Sequence, residues 1–206
     1  PSAVPLALPK QPYYVVGVYM DKPHLVLEEA SRVLSFWFDD LSSEQWFMQD
    51  SALDRTISSH FYSLHRSAAL GELWPWRATP TGRLAEILVL DQFSRNMFRH
   101  TAQAFAYDGI ALVLAQEAVS VEADKTLTPQ QSAFLYMPFM HSESLAIHDI
   151  AQQLFSAPGL ETQLEFQQRH VAVLQQFGRY PHRNQVLGRK STAEELAFLE
   201  QNPQGF

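Results

Sequence analysis

The sequence predicts an all-α fold of seven or eight helices, packed as antiparallel pairs in layers, with an extended N-terminal arm. Three observations carry this. Apolar residues recur at helical spacing from His24 onward. Proline and polar capping residues punctuate that pattern about once per helix. After residue 23 no segment reads as a convincing sheet strand. The expected organisation is an arm over residues 1–23 and a single helical domain over residues 24–206.

The arm is set apart by Pro1, Pro5, Pro9, Pro12 and Pro23, which favour extended or polyproline backbone. Its "YYVVGV" stretch is rich in β-formers and suits a short strand. Such an arm lies on its own domain or on a neighbouring subunit, which makes a homodimer through the arm one expectation.

The helices follow in order. "LVLEEASRVLSFWF" (25–38) puts Leu27, Ala30, Leu34, Trp37 and Phe38 near one stripe. In the next turn, Ser42 and Gln45 fit a capping box for a short helix. A long helix is expected from Ser51 to Ala69, capped by Asp50, with Ile57, Phe61, Leu64 and Ala68 inward and Gly71 as its stop. Two helices open on Thr-Pro, at Thr79–Pro80 and Thr128–Pro129, where proline's missing N–H costs nothing. Between them, Asp108 is the expected cap of 108–119. Pro138 is expected to end the helix over 130–137, and a further helix restarts after His141 and runs to about Ser156. "ETQLEFQQRHVAVLQQFG" is stopped by Gly178. The last helix carries Ser191–Glu194 as its expected capping box. Trp37, Trp46, Trp74 and Trp76 are expected to pack the core or a helix–helix corner.

Composition removes several functions. The chain has 206 residues, 46% hydrophobic, and a formal net charge of −7. That charge argues against broad nucleic-acid binding, which needs a basic face. Cysteine is absent, so there is no disulfide, thiol nucleophile or thiolate metal site. No apolar run approaches the ~20 residues of a membrane span, and the proline-broken start does not read as a signal peptide. A cytoplasmic location is the matching expectation. No nucleotide-binding or calcium-binding pattern occurs, so no cofactor is expected.

Three stretches concentrate polar chemistry. In "LDQFSRNMFRH", Asp91, Arg95 and Arg99 follow i, i+4, i+8 spacing, and Asn96 joins an overlapping row. This helix is apolar nearly all round, so its charges must be paired or must line a cavity. In "YMPFMHSESLAIHD", His141 can act as a general base and Glu143 can orient it. His141 and His148 match no standard zinc spacing. In "RHVAVLQQFGRYPHRNQVLGR", His170 sits on a helix, and Arg179, His182, Arg183 and Asn184 fall in the turn beyond Gly178. Arginines there either cap helix C-termini or hold a carboxylate or phosphate through a bidentate fork.

Together "VLSFWF", "GELWPW", "TPTGRLAEILVLDQFSRNMFR", "FLYMPFMHSE", "RHVAVLQQFGRYPHRNQVLGR" and "STAEELAFL" resemble the bacterial domain-of-unknown-function family 924, from about Val33 to Phe206. The resemblance implies an all-helical, tetratricopeptide-repeat-like right-handed stack and brings no activity. Where that family usually reads "DQFPRN" and "PFEHSE", this chain has Ser94 and Met140, so no mechanism here can use a carboxylate at 140.

The functional expectation is a pocket for a small anion, a carboxylate or phosphate. Asp91, Arg95, Asn96 and Arg99 would form one wall, His141 and Glu143 a second, and His170, Arg179, His182, Arg183 and Asn184 the third. If it is catalytic, His141 or His182 moves the proton, with Glu143 or Asp91 as orienter. Two alternatives stand beside it. One is a non-enzymatic interaction scaffold braced by a structural polar network. The other is a metal-dependent hydrolase using histidine and carboxylate ligands.

Overall fold

The computed structural model describes residues 23–203, with side chains from Glu28 onward. The proline-rich arm, its "YYVVGV" stretch and the Leu27 side chain lie outside the described residues.

The described chain is all-helical. α1 (Pro23–Ser35) widens into a π-turn over Phe36–Asp40. α2 spans Ser51–Ala69. α3 (Pro80–Leu88) runs through a second π-turn (Val89–Phe93) into the short α4 (Ser94–Met97), making one rod. Then come α5 (Asp108–Ser120), α6 (Pro129–Met140), α7 (Leu145–Phe155), α8 (Glu161–Phe177) and α9 (Ala193–Gln201). Among the described residues there is no strand.

The rod is central because it has almost no polar face. Every residue from Leu84 to Ser94 is buried, and α1, α2, α5 and α6 pack around it. Each large apolar side chain buried there contributes about 1.5–3 kcal/mol. Phe93 sits 4.8 Å from Phe61 of α2 and 5.7 Å from Trp37 at the end of α1, ring centre to ring centre. Trp37 in turn meets Phe134 of α6 edge-on at 5.6 Å. One aromatic seam thus ties three elements to the rod.

The helix starts follow their capping chemistry. Asp50 accepts from the Ala52 and Leu53 amides, Thr79 from Gly82, and Thr128 completes a reciprocal box with Gln131. Gly82 is required where it stands, since a Cβ there would lie 2.1 Å from the Trp76 carbonyl. Gly178 ends α8 in the left-handed region at φ 70°.

Several expectations are corrected. Pro138 does not end its helix: α6 continues to Met140 with the proline inside, in a segment buried from Ser132 to Met140, and tertiary packing outweighs the lost amide bond. The last capping box is Thr192–Glu195, one residue later than read. Ser42 and Gln45 exchange hydrogen bonds within a turn, without a helix. Trp74 is half exposed, whereas Trp37 and Trp76 are fully buried. Asp108 begins α5 but caps nothing; its carboxylate is drawn away to two arginines.

Candidate functional site

A cavity of about 510 Å³ opens where the end of the rod, the short turn Ala102–Phe105, the end of α6 and the turn after α8 meet. That is within the size range of small-molecule sites. Arg95, Arg99 and Arg183 line it, with His100, His141, His170 and His182; among its described lining residues there is no aspartate or glutamate. The carboxylates stand behind this wall.

The deepest part is an acid–histidine pair. The Asp91 side chain is sealed from solvent, and its Oδ1 lies 2.7 Å from His141 Nδ1 and 3.0 Å from Arg95 Nη1. Gln92 Nε2 donates to its other oxygen at 2.6 Å. Burial works against the Asp91 charge, but Arg95 and His141 outweigh it and hold the carboxyl below its usual range, at about 2. Asp91 occupies Nδ1 of His141, which leaves Nε2 for the cavity side. Burial, together with the Arg95 charge, lowers the His141 imidazole against the opposing pull of Asp91. It therefore rests neutral near pH 7, able to take a proton.

Asp91 is placed by the π-turn. A wider turn breaks the i, i+4 register, and such turns recur at functional sites. The rod then ends at Met97, Phe98 leaves helical geometry, and His100 takes a left-handed backbone at φ 64°. Arg99 accordingly does not continue the Asp91–Arg95 face. With Asn96 it holds Asp54 of α2, through contacts of 2.6–2.8 Å.

Arg183 is the most confined cation. Its plane lies between Phe105, 4.6 Å away, and Tyr180, 4.9 Å away. Nη2 donates to the His141 carbonyl at 2.9 Å, and Nη1 lies 3.3 Å from Asp108. Its Nε is buried without a hydrogen-bond partner. Asp108 also takes two bonds from Arg95, at 3.0 and 3.1 Å. Burial pushes the His170 imidazole below the ordinary histidine range against the pull of the Phe166 carbonyl, and burial, then the Arg183 charge, does the same to His182. His182 keeps an open side to water, which softens the effect.

The structure thus brings Arg95, Arg99, His141, His170, His182 and Arg183 to one wall, with Asp91 immediately behind it. It turns the other expected residues elsewhere. Glu143 binds Arg189 at 2.6 and 3.0 Å and accepts the Tyr180 amide, so it does not orient His141. Arg179 forks onto Glu195, and Asn184 bridges Ser191, Glu195 and Arg189; both brace the turn against α9. Asn96 stands behind Arg99. Asp54, Phe105, Asp108, Tyr180 and Arg189 were missed as site residues. Arg189 and Tyr180 lay within a stretch already singled out, but nothing local in the sequence marks Asp108 as other than a cap.

Tyr180 is positioned by its own buried chain. Its hydroxyl donates to the Met140 carbonyl at 2.7 Å and lies 2.9 Å from His148 Nε2, while Gln167 donates to His148 Nδ1 at 3.2 Å. His148 therefore belongs to the support of the turn. Among the described residues, no three histidine, aspartate or glutamate side chains are grouped as metal ligands, and no helix is long and apolar enough to cross a membrane.

Comparison with known proteins agrees with this architecture. Residues 33–203 match the model of a family described as bacterial protein of unknown function, DUF924. The chain belongs to that family. A solved structure of a protein of unknown function from Agrobacterium tumefaciens is 35% identical, covers 88% of this chain and 99% of its own, and superposes with a TM-score of 0.81. No curated protein matches.

Proposed function

We propose that the cavity binds a small anionic molecule, a carboxylate or a phosphate ester, and that His141 is its proton-transfer group. The observation that carries this is the charge layering. An acidic chain places three arginines and four histidines on one concave wall, with no aspartate or glutamate among its described lining residues. Arginines paired with carboxylates are held in place before a ligand arrives, which lowers the ordering cost of binding. Asp91 supports the catalytic part, because an acid on Nδ1 selects the tautomer whose Nε2 can accept a proton. Phe105 and Tyr180 add apolar walls on either side of Arg183.

A second reading has its own support. Each of these arginines already has a carboxylate partner, as in a network that only fixes helix positions, and a non-enzymatic interaction scaffold would need no more. A thermal-shift panel of phosphates and carboxylates separates the two. A ligand at ~100 times its dissociation constant adds about 2.7 kcal/mol, which raises the midpoint by several degrees in a chain of this size. Under the pocket reading that shift disappears in Arg95→Ala and in Arg183→Ala. A panel without any shift, or a shift that survives both substitutions, removes the pocket reading and leaves the scaffold.

A further inference from the structure

The cations at the cavity are matched one for one. Asp91 and Asp108 lie against Arg95 and Arg183, Asp54 against Arg99, and Glu143 against Arg189. With neutral histidines this shell carries no net charge. Among its acids Asp108 has a distinct position. The Asp91 side chain is 1% exposed, whereas that of Asp108 is 18% exposed and bridges two arginines of the wall. Asp108 also holds no helix cap that would explain its presence at the start of α5.

We infer that Asp108 sets the charge the cavity accepts: by bridging Arg95 and Arg183 it cancels the one positive charge that Asp91 leaves on them, and so makes capture of an anion depend on proton uptake by the histidines of the wall. The inference rests on the anion-binding reading above. An anion entering without a proton would leave a partly buried shell with uncompensated negative charge, which is costly in low dielectric. One protonated histidine restores the balance.

The groups around those histidines make this workable. His141 faces Asp91 and Arg95 from the rod and Asp108 from α5, and its carbonyl receives Arg183. His182 faces Arg183 from its own turn, Glu143 and His141 from the end of α6, and Arg95 from the rod. His170 faces His141, His148 and His182, and its Nδ1 lies 2.8 Å from the Phe166 carbonyl. His100 stands at the rim. Burial, joined at His141 and His182 by nearby arginine charge, favours the neutral form of His141, His170 and His182, and an arriving anion opposes it.

Titration calorimetry on the full chain, with acetate and with methanesulfonate, both monoanions, at pH 7 and pH 8 in two buffers of different ionisation enthalpy, measures the protons taken up. Neither probe titrates appreciably in that range. The expected result is about one proton per bound anion and an affinity that falls about tenfold per pH unit. In Asp108→Asn the uptake disappears and binding at pH 8 tightens about tenfold, while Asp108→Glu keeps wild-type uptake. Wild-type binding without proton uptake, equally tight at both pH values, overturns the inference and leaves the pocket intact. Unchanged uptake in a folded Asp108→Asn chain also overturns it. If neither probe binds wild type, the pocket reading fails and this inference fails with it.

Discussion

Replacing Asp91 by asparagine tests whether the buried acid holds the site together. The change keeps the shape and removes the charge. Three contacts lose it: His141 at 2.7 Å, Arg95 at 3.0 Å and Gln92 at 2.6 Å. Removing one partner of a buried ion pair costs about 3–5 kcal/mol. Arg95 keeps both bonds to Asp108, so the low end applies, about 3 kcal/mol. For a chain of this length each kcal/mol moves the midpoint by about 2–4 °C, so melting should fall by roughly 6–12 °C. Thermal melts with parallel urea titrations measure it. A cycle with His141→Gln should give a coupling of about 1–2 kcal/mol, because the two side chains touch. The acid limb supplies a sign check. The folded carboxyl sits at about 2, below an unfolded value of about 3.9. Its contribution is complete above the unfolded value and is lost as pH falls through the folded one, so the two proteins converge in stability near pH 2. A midpoint within about 2 °C of wild type at pH 7 would refute the reasoning, since Asp91 would then carry no buried charge worth protecting.

Other perturbations probe the support. Burial lowers His65 to about 4 beneath Phe98 and Tyr107, so its contribution is full above about 6.5 and is lost as pH falls toward 4; this amounts to about 3 kcal/mol, and His65→Gln should flatten urea-measured stability across that window. Tyr180→Phe strands the Met140 carbonyl and breaks the link to His148, costing about 1–3 kcal/mol in urea unfolding. Gly82→Ala drives a methyl into the Trp76 carbonyl and should destabilise by about 1–3 kcal/mol in thermal melts, although alanine is the better helix former.

Local chemistry in the sequence determined most of the architecture. The span and inward face of α2, the Thr-Pro starts of α3 and α6, and the Gly178 stop are decided within a turn or two of chain, by caps, prolines and periodicity. The buried rod was legible because its apolar residues leave no free face. The same local rules misplaced Pro138 and Asp108, where tertiary forces win over a lost amide bond or an unused cap.

The candidate site was half legible. Arg95, His141, His170, His182 and Arg183 stood out as polar residues in apolar surroundings, and the structure gathers them on one wall. Apart from the i, i+4 pair of Asp91 and Arg95, their partners could not be assigned, because the choice among carboxylates depends on distances across the fold. Glu143 is two residues from His141 but belongs to Arg189, 46 positions away, whereas Asp91, 50 positions back, takes His141. Sequence by itself determined which segments become helices and which face turns inward. Only the tertiary structure decided which acid meets which base, because ion pairing is fixed by separation in space and burial, and neither is written in chain order.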